Sequence, residues 1–358
     1  MKLLMYGVNK DTVMKEDIDK YFLDKQNQKK QMLELSAFDG VEEIGVLSND
    51  FRHEYYLYVD EGVFSHGEFL RFLAEETDKT LQEIILETYS KFNGDALRHL
   101  YEVATGFMGK ELGSIRALAS VEEAYQFSKE YNTMGPIITC MFQSALDLAY
   151  DVKLDETLNP LNQIDLSNYV YLLHEHLGTF ARKNFMISGS DLAVYFLTKL
   201  LLKAGAQSVS IIQKEEAEAE RQFNKIKVTL NEVQQTKVYP VTEKSLYYRL
   251  SKVDVGILDI EELNLFDESI IEEVKIIRQT KKIQYLLNTE DLNPEFVSEL
   301  DSDLDIRLVD SKMDYSFTED EMTSANVIFD ERLTSAVKDF MGYLDDLQQN
   351  NVKEKLIL

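Results

Sequence analysis

The stretch "NFMISGSDLAVYFLTKLLLKAGAQSVSII", residues 184–212, decides the fold of this chain. Two short apolar runs, "NFMIS" and "SVSII", have the composition of buried strands, and the longer segment between them has helical spacing. Strands that are joined by a crossover helix lie parallel in one sheet. The stretch therefore predicts a parallel sheet of the dinucleotide-binding type.

The alternation of helices and strands continues toward the C-terminus. "KEEAEAERQFNKI" predicts a helix, and "KVTL", "VDVGILDI" and "IQYLLN" predict three further strands. Residues 318–349 predict a long helix, because their apolar residues recur at the spacing of a seam.

The N-terminal part mixes strands and helices. Residues 2–8 predict a strand, residues 15–33 have helical spacing, and "GVLSNDFRHEYYLYV", residues 45–59, predicts two strands around a polar break. Helical segments follow, among them "KTLQEIILETYSKF" and "PIITCMFQSALDLAYDVKLDE". The first part is therefore predicted to be α+β.

A break in the pattern at "TLNPLNQIDLSNY" marks a domain boundary, and a helix over residues 167–182 leads into the next unit. We predict three regions: an α+β domain over residues 1–158, a Rossmann-like parallel-sheet domain over residues 159–312, and a C-terminal long helix over residues 313–358. The fold class is α/β plus α+β.

Composition limits the classes of function. The chain has 358 residues, 44% of them apolar, with no apolar run of the ~18 residues that a bilayer span needs. We predict no signal peptide, no membrane partner and a cytoplasmic location, and the single cysteine excludes an intramolecular disulfide. The net charge of −26 repels nucleic acid, so we do not expect tRNA as a partner.

Several motifs, taken in order, resemble those of one family. "LSNDFRHEYY" is similar to "LSTCNRTEIY", "RHLYEVATGF" to "RHLFRVASGL", and "MFQSALDLAYDVK" to "LFQKAFSVAKRVR". "VDVGI" and "IRLVD" stand where that family has "ADIVI" and "LYDID". The chain resembles glutamyl-tRNA reductase, the first enzyme of five-carbon tetrapyrrole synthesis. The resemblance implies a catalytic α+β domain, an NADPH-binding Rossmann domain and a helix that leads to a dimerisation domain.

The family's nucleophile is the cysteine of "STCN", whose thiolate attacks the aminoacyl ester of glutamyl-tRNA. Asp50 stands at that position here, and a carboxylate is a weak nucleophile toward an ester. The resemblance implies an ancestral substrate pocket with five residues. They are Asn49, Asp50, Arg52, His53 and His99.

Within that pocket Arg52 corresponds to the residue that grips the substrate carboxylate, and Glu54 is also kept. His53 is a gain relative to the family, and by the match His53 and His99 face the former glutamate pocket. A second family motif, "GLDSMVLGEPQILGQVK", is altered at four positions. They are Met108, Gly109, Ser114 and Arg116.

The family's cofactor loop, "VIGAGEMG", has glycines that let the backbone approach a pyrophosphate. This chain has "MISGSDLA", in which Ser188, Ser190 and Ala193 replace the glycines and only Gly189 remains. Asp191 adds a negative charge at the helix start, where phosphate binds. We therefore expect NADPH binding to be lost.

The sequence ends at Leu358, where the family's helix continues, so we do not expect dimerisation through the family's domain. Cys140 lies in the apolar helical run "IITCMFQSAL", which favours a buried, inert thiol over a replacement nucleophile. Together these losses predict a pseudoenzyme.

Three functions stay open. The first is haem or tetrapyrrole binding, with His53, His99, His174 and His176 as candidate haem or metal ligands. His174 and His176 point apart on a helix, so they do not chelate one ion together. The second is a genuine reductase with altered chemistry. The third is a protein-interaction module for another haem-pathway or haem-receiving protein, whose basic surface would suit this acidic chain.

Overall fold

The computed structural model describes residues 1–14, 17–21, 23–107, 115–161, 178–242, 244–258, 285–288, 307–310 and 317–357. The chain folds as two units. The first combines residues 1–152 with residues 322–358, and the second holds residues 153–321.

An antiparallel sheet forms the centre of the first unit. Its strands are β1 (Lys2–Asn9), β2 (Val41–Ser48), β3 (Arg52–Val59) and β4 (Tyr89–Phe92), in the order β2-β3-β1-β4. β1 and β3 are buried along almost their whole length, because helices cover both faces of the sheet. Such strands carry nearly continuous apolar runs, as "KLLMYGV" and "YYLYV" do.

Seven helices surround this sheet among the described residues before position 155. They are α1 (Ile18–Tyr21), α2 (Lys25–Ser36), α3 (His66–Thr77), α4 (Leu81–Glu87), α5 (Gly94–Thr105), α6 (Ile115–Glu130) and α7 (Pro136–Leu154). Phe69 of α3 packs on Tyr6 on one face of the sheet. Phe142 of α7 packs on Tyr56 on the other face.

Two predictions for this unit were wrong in their extent. The helical spacing over residues 15–33 is divided, because the Asp24 side chain accepts a hydrogen bond from the Asn27 amide and starts α2 there. "KTLQEIILETYSKF" is not one helix. α4 ends at Glu87, and the residues from Tyr89 pair with β1 as the edge strand β4.

A six-stranded parallel sheet forms the second unit. Its strands are β5 (Asn184–Ile187), β6 (Ser208–Ile211), β7 (Val238–Pro240), β8 (Val255–Leu258), β9 (Tyr285–Asn288) and β10 (Arg307–Asp310). Their order, β10-β9-β8-β5-β6-β7, is the doubly wound order of the Rossmann fold. The parallel sheet predicted from residues 184–212 is confirmed.

Helices connect the described strands of this sheet. They are α8 (Asp191–Lys203), α9 (Glu216–Lys227), α10 (Glu232–Gln235) and α11 (Leu246–Leu250), and a short 3₁₀ helix, Glu156–Leu161, lies near the start of the unit. The predicted strand "KVTL" was wrong, because these residues end α9 and form a turn, and β7 supplies the third strand. Of the predicted helix over residues 167–182, only residues 178–182 are described, and none of them is helical.

The predicted C-terminal helix is present as α12 (Glu319–Ile357). It packs on the first unit: the Phe329 ring lies 4.1 Å from the Phe107 ring, and Asp330 pairs with Arg98 of α5. Leu333 is fully buried in the same contact. No helix among the described residues is long and apolar enough to cross a membrane.

Gly7 permits the closest approach within the first sheet. A Cβ atom there would lie 2.7 Å from Cγ of Glu54 and 3.1 Å from the Tyr89 ring. We expect Gly7→Ala to lower the free energy of unfolding by about 1–3 kcal/mol, because neighbouring strands must shift. Thermal unfolding followed by circular dichroism measures this. Gly342→Ala, at an open position of α12, is the matched control and should leave stability unchanged or raise it.

Candidate functional site

The polar break between β2 and β3 is a rigid turn. The Asn49 side-chain oxygen accepts hydrogen bonds from the Phe51 amide at 2.8 Å and the Arg52 amide at 3.1 Å. This Asx turn leaves Asp50 and Phe51 exposed at its tip. Asp50, which the motif resemblance places at the position of the family's nucleophile, is therefore exposed to solvent.

Behind the turn, one buried carboxylate gathers four side chains. Glu54 is fully buried, and its Oε1 accepts hydrogen bonds from Tyr89 Oη at 2.6 Å and Arg52 Nη1 at 3.1 Å. The same oxygen lies 2.8 Å from His99 Nε2, and Oε2 accepts from Tyr56 Oη at 2.6 Å. The cluster therefore joins β3 to β4 and α5.

The electrostatics of this cluster favour an ionised Glu54. Burial alone would raise the pKa of Glu54, but the His99 ring and the Arg52 guanidinium hold it well below its usual value. Burial and the Glu54 charge raise the pKa of both Tyr56 and Tyr89, so both phenols stay protonated as donors. Arg52 is mostly buried and uses one of its nitrogens on this internal carboxylate.

The prediction that His53 shares this pocket with His99 needs correction. Directly paired residues of an antiparallel sheet face the same side, and successive residues face opposite sides. Glu54 pairs with Gly7 and contacts His99, whereas His53 pairs with Val8. His53 therefore faces the opposite side of the sheet from His99.

His53 lies in an apolar environment. Its ring packs edge-on against Tyr55, 4.7 Å away, and Tyr55 packs on Phe69 of α3. Only 2% of His53 is exposed, and neither ring nitrogen has a hydrogen-bond partner among the described residues. Burial lowers the pKa of His53 to about 4, so the imidazole is neutral at pH 7.

The other two predicted ligands, His174 and His176, lie outside the described residues, as do Met108, Gly109 and Ser114. Within the described part of the chain, no group of three His, Cys, Asp or Glu side chains has the geometry of a metal site. Burial raises the pKa of Cys140 on α7, so its thiol is not activated.

The loop after β5 is closed by its own side chains. Ser190 caps α8, and its hydroxyl accepts a hydrogen bond from the Ala193 amide at 3.4 Å. The Gly189 carbonyl accepts from Gln213 Nε2 at 2.8 Å and from Gln222 Nε2 at 3.1 Å. The Ala193 amide at this helix start is thus taken by the Ser190 hydroxyl, and Ser188 and Ser190 stand where a dinucleotide cradle of the family's type has glycines.

Asp191, the first residue of α8, is neutralised locally. Arg221 donates a hydrogen bond to it through Nη1 at 3.0 Å, and the Lys225 ammonium lies 3.3 Å away. These contacts lower the pKa of Asp191 to about 2. The family motif "VIGAGEMG" also has an acidic residue at the position of Asp191. This loop therefore differs from the family's loop by Ser188 and Ser190 in place of glycine, and not by the negative charge.

One residue of the Glu54 cluster was not predicted: Tyr89, whose segment was predicted to be a helix. Tyr56 was recognised as part of the family motif, without its contact to Glu54. Tyr89 approaches Glu54 because β4 pairs with β1, which puts Tyr89 opposite Gly7. The sequence feature that could have predicted this contact is Gly7, because a glycine within a strand often marks a close approach of neighbouring groups.

A first sheet with a buried Arg–Glu–His cluster, followed by a parallel sheet in doubly wound order, defines a two-unit protein of the Rossmann-containing class. Residues 6–156 match the family model described as the N-terminal domain of glutamyl-tRNA reductase. The N-terminal part of the chain thus belongs to the glutamyl-tRNA reductase family.

Two similar relatives are glutamyl-tRNA reductases. That of Desulforudis audaxviator is 27% identical over 212 residues, which cover 59% of this chain and 47% of the relative. That of a Picosynechococcus species is 23% identical over 280 residues, which cover 75% of this chain and 66% of the relative. A solved glutamyl-tRNA reductase from Methanopyrus kandleri is 14% identical, with a TM-score of 0.44, and the match covers 99% of this chain and 82% of that one. The chain thus spans about half to two thirds of the curated relatives it matches.

Glu54→Gln tests the central carboxylate. The change leaves Arg52 buried without a counter-ion, so we expect the free energy of unfolding at pH 7 to fall by about 3–5 kcal/mol. The folded pKa of Glu54 is lowered, so its contribution is present above pH ~4.3 and is lost as the pH falls below that value. The free energy of unfolding, measured by urea denaturation at a series of pH values, should therefore decrease less toward low pH in the variant than in the wild type. An equal decrease of the free energy of unfolding toward low pH in both proteins would contradict the role of Glu54 as an ionised, stabilising carboxylate.

His53→Phe tests the buried imidazole. We expect the variant to be more stable by about 1–3 kcal/mol, because two buried nitrogens without partners are replaced by an apolar ring. The folded pKa of about 4 lies below the unfolded value of ~6.5, so wild-type stability falls as the pH drops between those values, and the variant should lack that loss. Lower stability of His53→Phe at pH 7 would contradict this interpretation.

Proposed function

We propose that this chain is a catalytically inactive member of the glutamyl-tRNA reductase family that binds haem or another tetrapyrrole. The observation that carries the loss of activity is Asp50. It occupies the position of the family's nucleophile, on an exposed turn, and the one cysteine of the chain lies elsewhere with a raised pKa. A chain without an activated thiol lacks the group that forms the thioester.

The second unit supports the same proposal. Reduction of a thioester requires a bound hydride donor, and the family uses NADPH. The hydroxyl of Ser190 takes the Ala193 amide, and Gln213 and Gln222 hold the Gly189 carbonyl. These contacts replace the open glycine backbone on which a pyrophosphate lies in Rossmann folds. We therefore propose that NADPH binding is lost as well.

The ligand in this proposal comes from the family's place in tetrapyrrole synthesis. A protein that keeps the fold without the chemistry can still serve the pathway as a carrier or sensor of its product. Imidazole is a common iron ligand, and the chain has five histidines to supply it. The acidic surface suits transfer of the ligand to a haem-pathway or haem-receiving protein with basic groups.

One observation favours the competing function of a genuine reductase. The Arg52–Glu54–His99 contacts are intact, and the resemblance assigns Arg52 and His99 to the substrate pocket. Such a reductase would need another nucleophile in place of Asp50. Activity measurements on the wild-type chain and on Asp50→Cys separate the two functions.

We expect wild-type protein to show no saturable NADPH binding by fluorescence titration and no turnover of glutamyl-tRNA. Asp50→Cys restores a thiol at the turn but not the cofactor loop, so it should remain unable to oxidise NADPH. Haemin titration of the wild type should give a saturable shift of the Soret band. Turnover by the wild type would overturn the proposed loss of activity. Turnover by Asp50→Cys, but not by the wild type, would show that the cofactor site still binds NADPH. Absence of a Soret shift would overturn the proposal that the chain binds haem.

A further inference from the structure

An arginine without an anionic partner lies at the edge of the parallel sheet. β7 is the edge strand, and α11 follows it in the chain. The guanidinium of Arg249, on α11, lies flat against the Tyr239 ring of β7, with 3.6 Å between its Cζ and the ring centroid. Among the described residues no carboxylate forms an ion pair with Arg249, and its buried Nε has no hydrogen-bond acceptor.

This arrangement differs from that of other arginines in the described part of the chain. Arg52, Arg98 and Arg221 each pair with at least one carboxylate. Arg249 has instead lost water at Nε without gaining an acceptor, which costs free energy. Its guanidinium is held on an aromatic face and is partly shielded from solvent, so it is oriented before any anion arrives and its charge is less screened.

The charge around Arg249 is opposite to that of the whole chain. The chain has 64 acidic and 38 basic residues, but between Val233 and Lys252 the only acidic residue is Glu243. The same segment has four basic residues, which are Lys237, Lys244, Arg249 and Lys252. A local basic segment in a strongly acidic protein complements a negatively charged ligand.

A second tyrosine extends the surface beside Arg249. The Tyr248 ring centroid lies 5.6 Å from Cζ of Arg249, and the side chain is 59% exposed. The Lys252 ammonium lies 5.8 Å from the same ring. Tyrosine and arginine are the residues that most often carry the binding energy of protein interfaces.

An exposed valine lies near the other side of the Tyr239 ring. The Tyr239 hydroxyl donates a hydrogen bond to the Thr236 carbonyl, and the Thr236 hydroxyl donates to the Val233 carbonyl at 2.8 Å. Val233 is 68% exposed on α10. The guanidinium is therefore accompanied by apolar surface that an anion alone would leave uncovered.

This combination favours a carboxylate on a protein segment over a strand of nucleic acid. A planar guanidinium fork matches one carboxylate, and the valine and tyrosine side chains match its apolar neighbours. A nucleic acid gains affinity from many neutralised phosphates, and the net charge of −26 repels such a polyanion.

We infer that Val233, Tyr239, Tyr248 and Arg249 form a docking site for an acidic segment of a partner protein. An aspartate or glutamate of that segment pairs with Arg249, and an adjacent apolar side chain packs on Tyr248 and Val233. The site lies in the second unit and shares no residue with the Glu54 cluster or the loop after β5. It is therefore independent of haem binding.

The experiment is a selection of random peptides displayed on phage against the full chain, after removal of phage that bind Arg249→Gln. We expect the enriched peptides to carry aspartate or glutamate beside leucine or an aromatic residue. An enriched peptide is then synthesised with a fluorescent label, and its affinity for wild type and variants is measured by fluorescence polarisation. Circular dichroism checks that each variant is folded.

The affinity of that peptide should fall more than about tenfold in Arg249→Gln and in Tyr248→Ala. Arg249→Lys should also bind more weakly than wild type, because it keeps the charge and loses the planar fork. Arg71→Gln is the matched control, since it removes the same charge from an exposed position of α3 and should leave the affinity unchanged.

Three results would overturn the docking site. The first is a selection that enriches no peptides, or only peptides without acidic residues. The second is an equal affinity of the enriched peptide for wild type and Arg249→Lys, which would show that no fork-shaped contact forms. The third is a labelled single-stranded oligothymidylate that binds wild type and is lost in Arg249→Gln, which would assign the surface to nucleic acid.

Discussion

The first unit depends on one buried carboxylate. Glu54 has no contact with water, yet it stays ionised because a guanidinium, an imidazole and two phenols surround it. Removing any partner from such a cluster leaves buried charge without compensation, so the cluster holds its members in one arrangement. It also fixes the end of β3 from which the polar turn projects. Gly7 of β1 leaves room for the Glu54 side chain, and the edge strand β4 brings Tyr89 within hydrogen-bond distance of its carboxylate.

By the motif resemblance, Arg52, Glu54 and His99 belong to the frame of the family's pocket, and Asp50 stands at the position of its nucleophile. Arg52, Glu54 and His99 form the frame and are internal to the fold. Asp50 lies at the tip of a turn that Asn49 closes by itself, so a change at the tip does not disturb the cluster behind it. This explains in physical terms how the position of a nucleophile can change while the surrounding fold persists. In the second unit, serine and glutamine side chains hold the loop after β5, and the sheet has the doubly wound order.

Much of the fold follows from apolar patterning. The strands of residues 184–212, the hairpin around the polar turn and the long C-terminal helix were all predicted from spacing, because burial of one face imposes a period on the sequence. The short elements were not: "YSKF" pairs as a strand only because β1 offers an edge, and "KVTL" was read as a strand although it ends a helix. The site was predicted in part. Arg52, Glu54 and His99 were recognised by motif, but the side of the sheet on which His53 lies depends on register, and a shift of one residue reverses it.

The chain leaves the first unit after Val152 and returns to it at Met322. The second unit is therefore inserted into the first in the order of synthesis. Residues 1–152 leave the ribosome without the helix that covers α5, and they must wait for the whole second unit to be translated, on the order of ten seconds or more at ordinary elongation rates. During that time the surface around Phe107 is open to water and to other proteins. The nascent first unit therefore exposes apolar surface around Phe107 until the residues of α12 have been made.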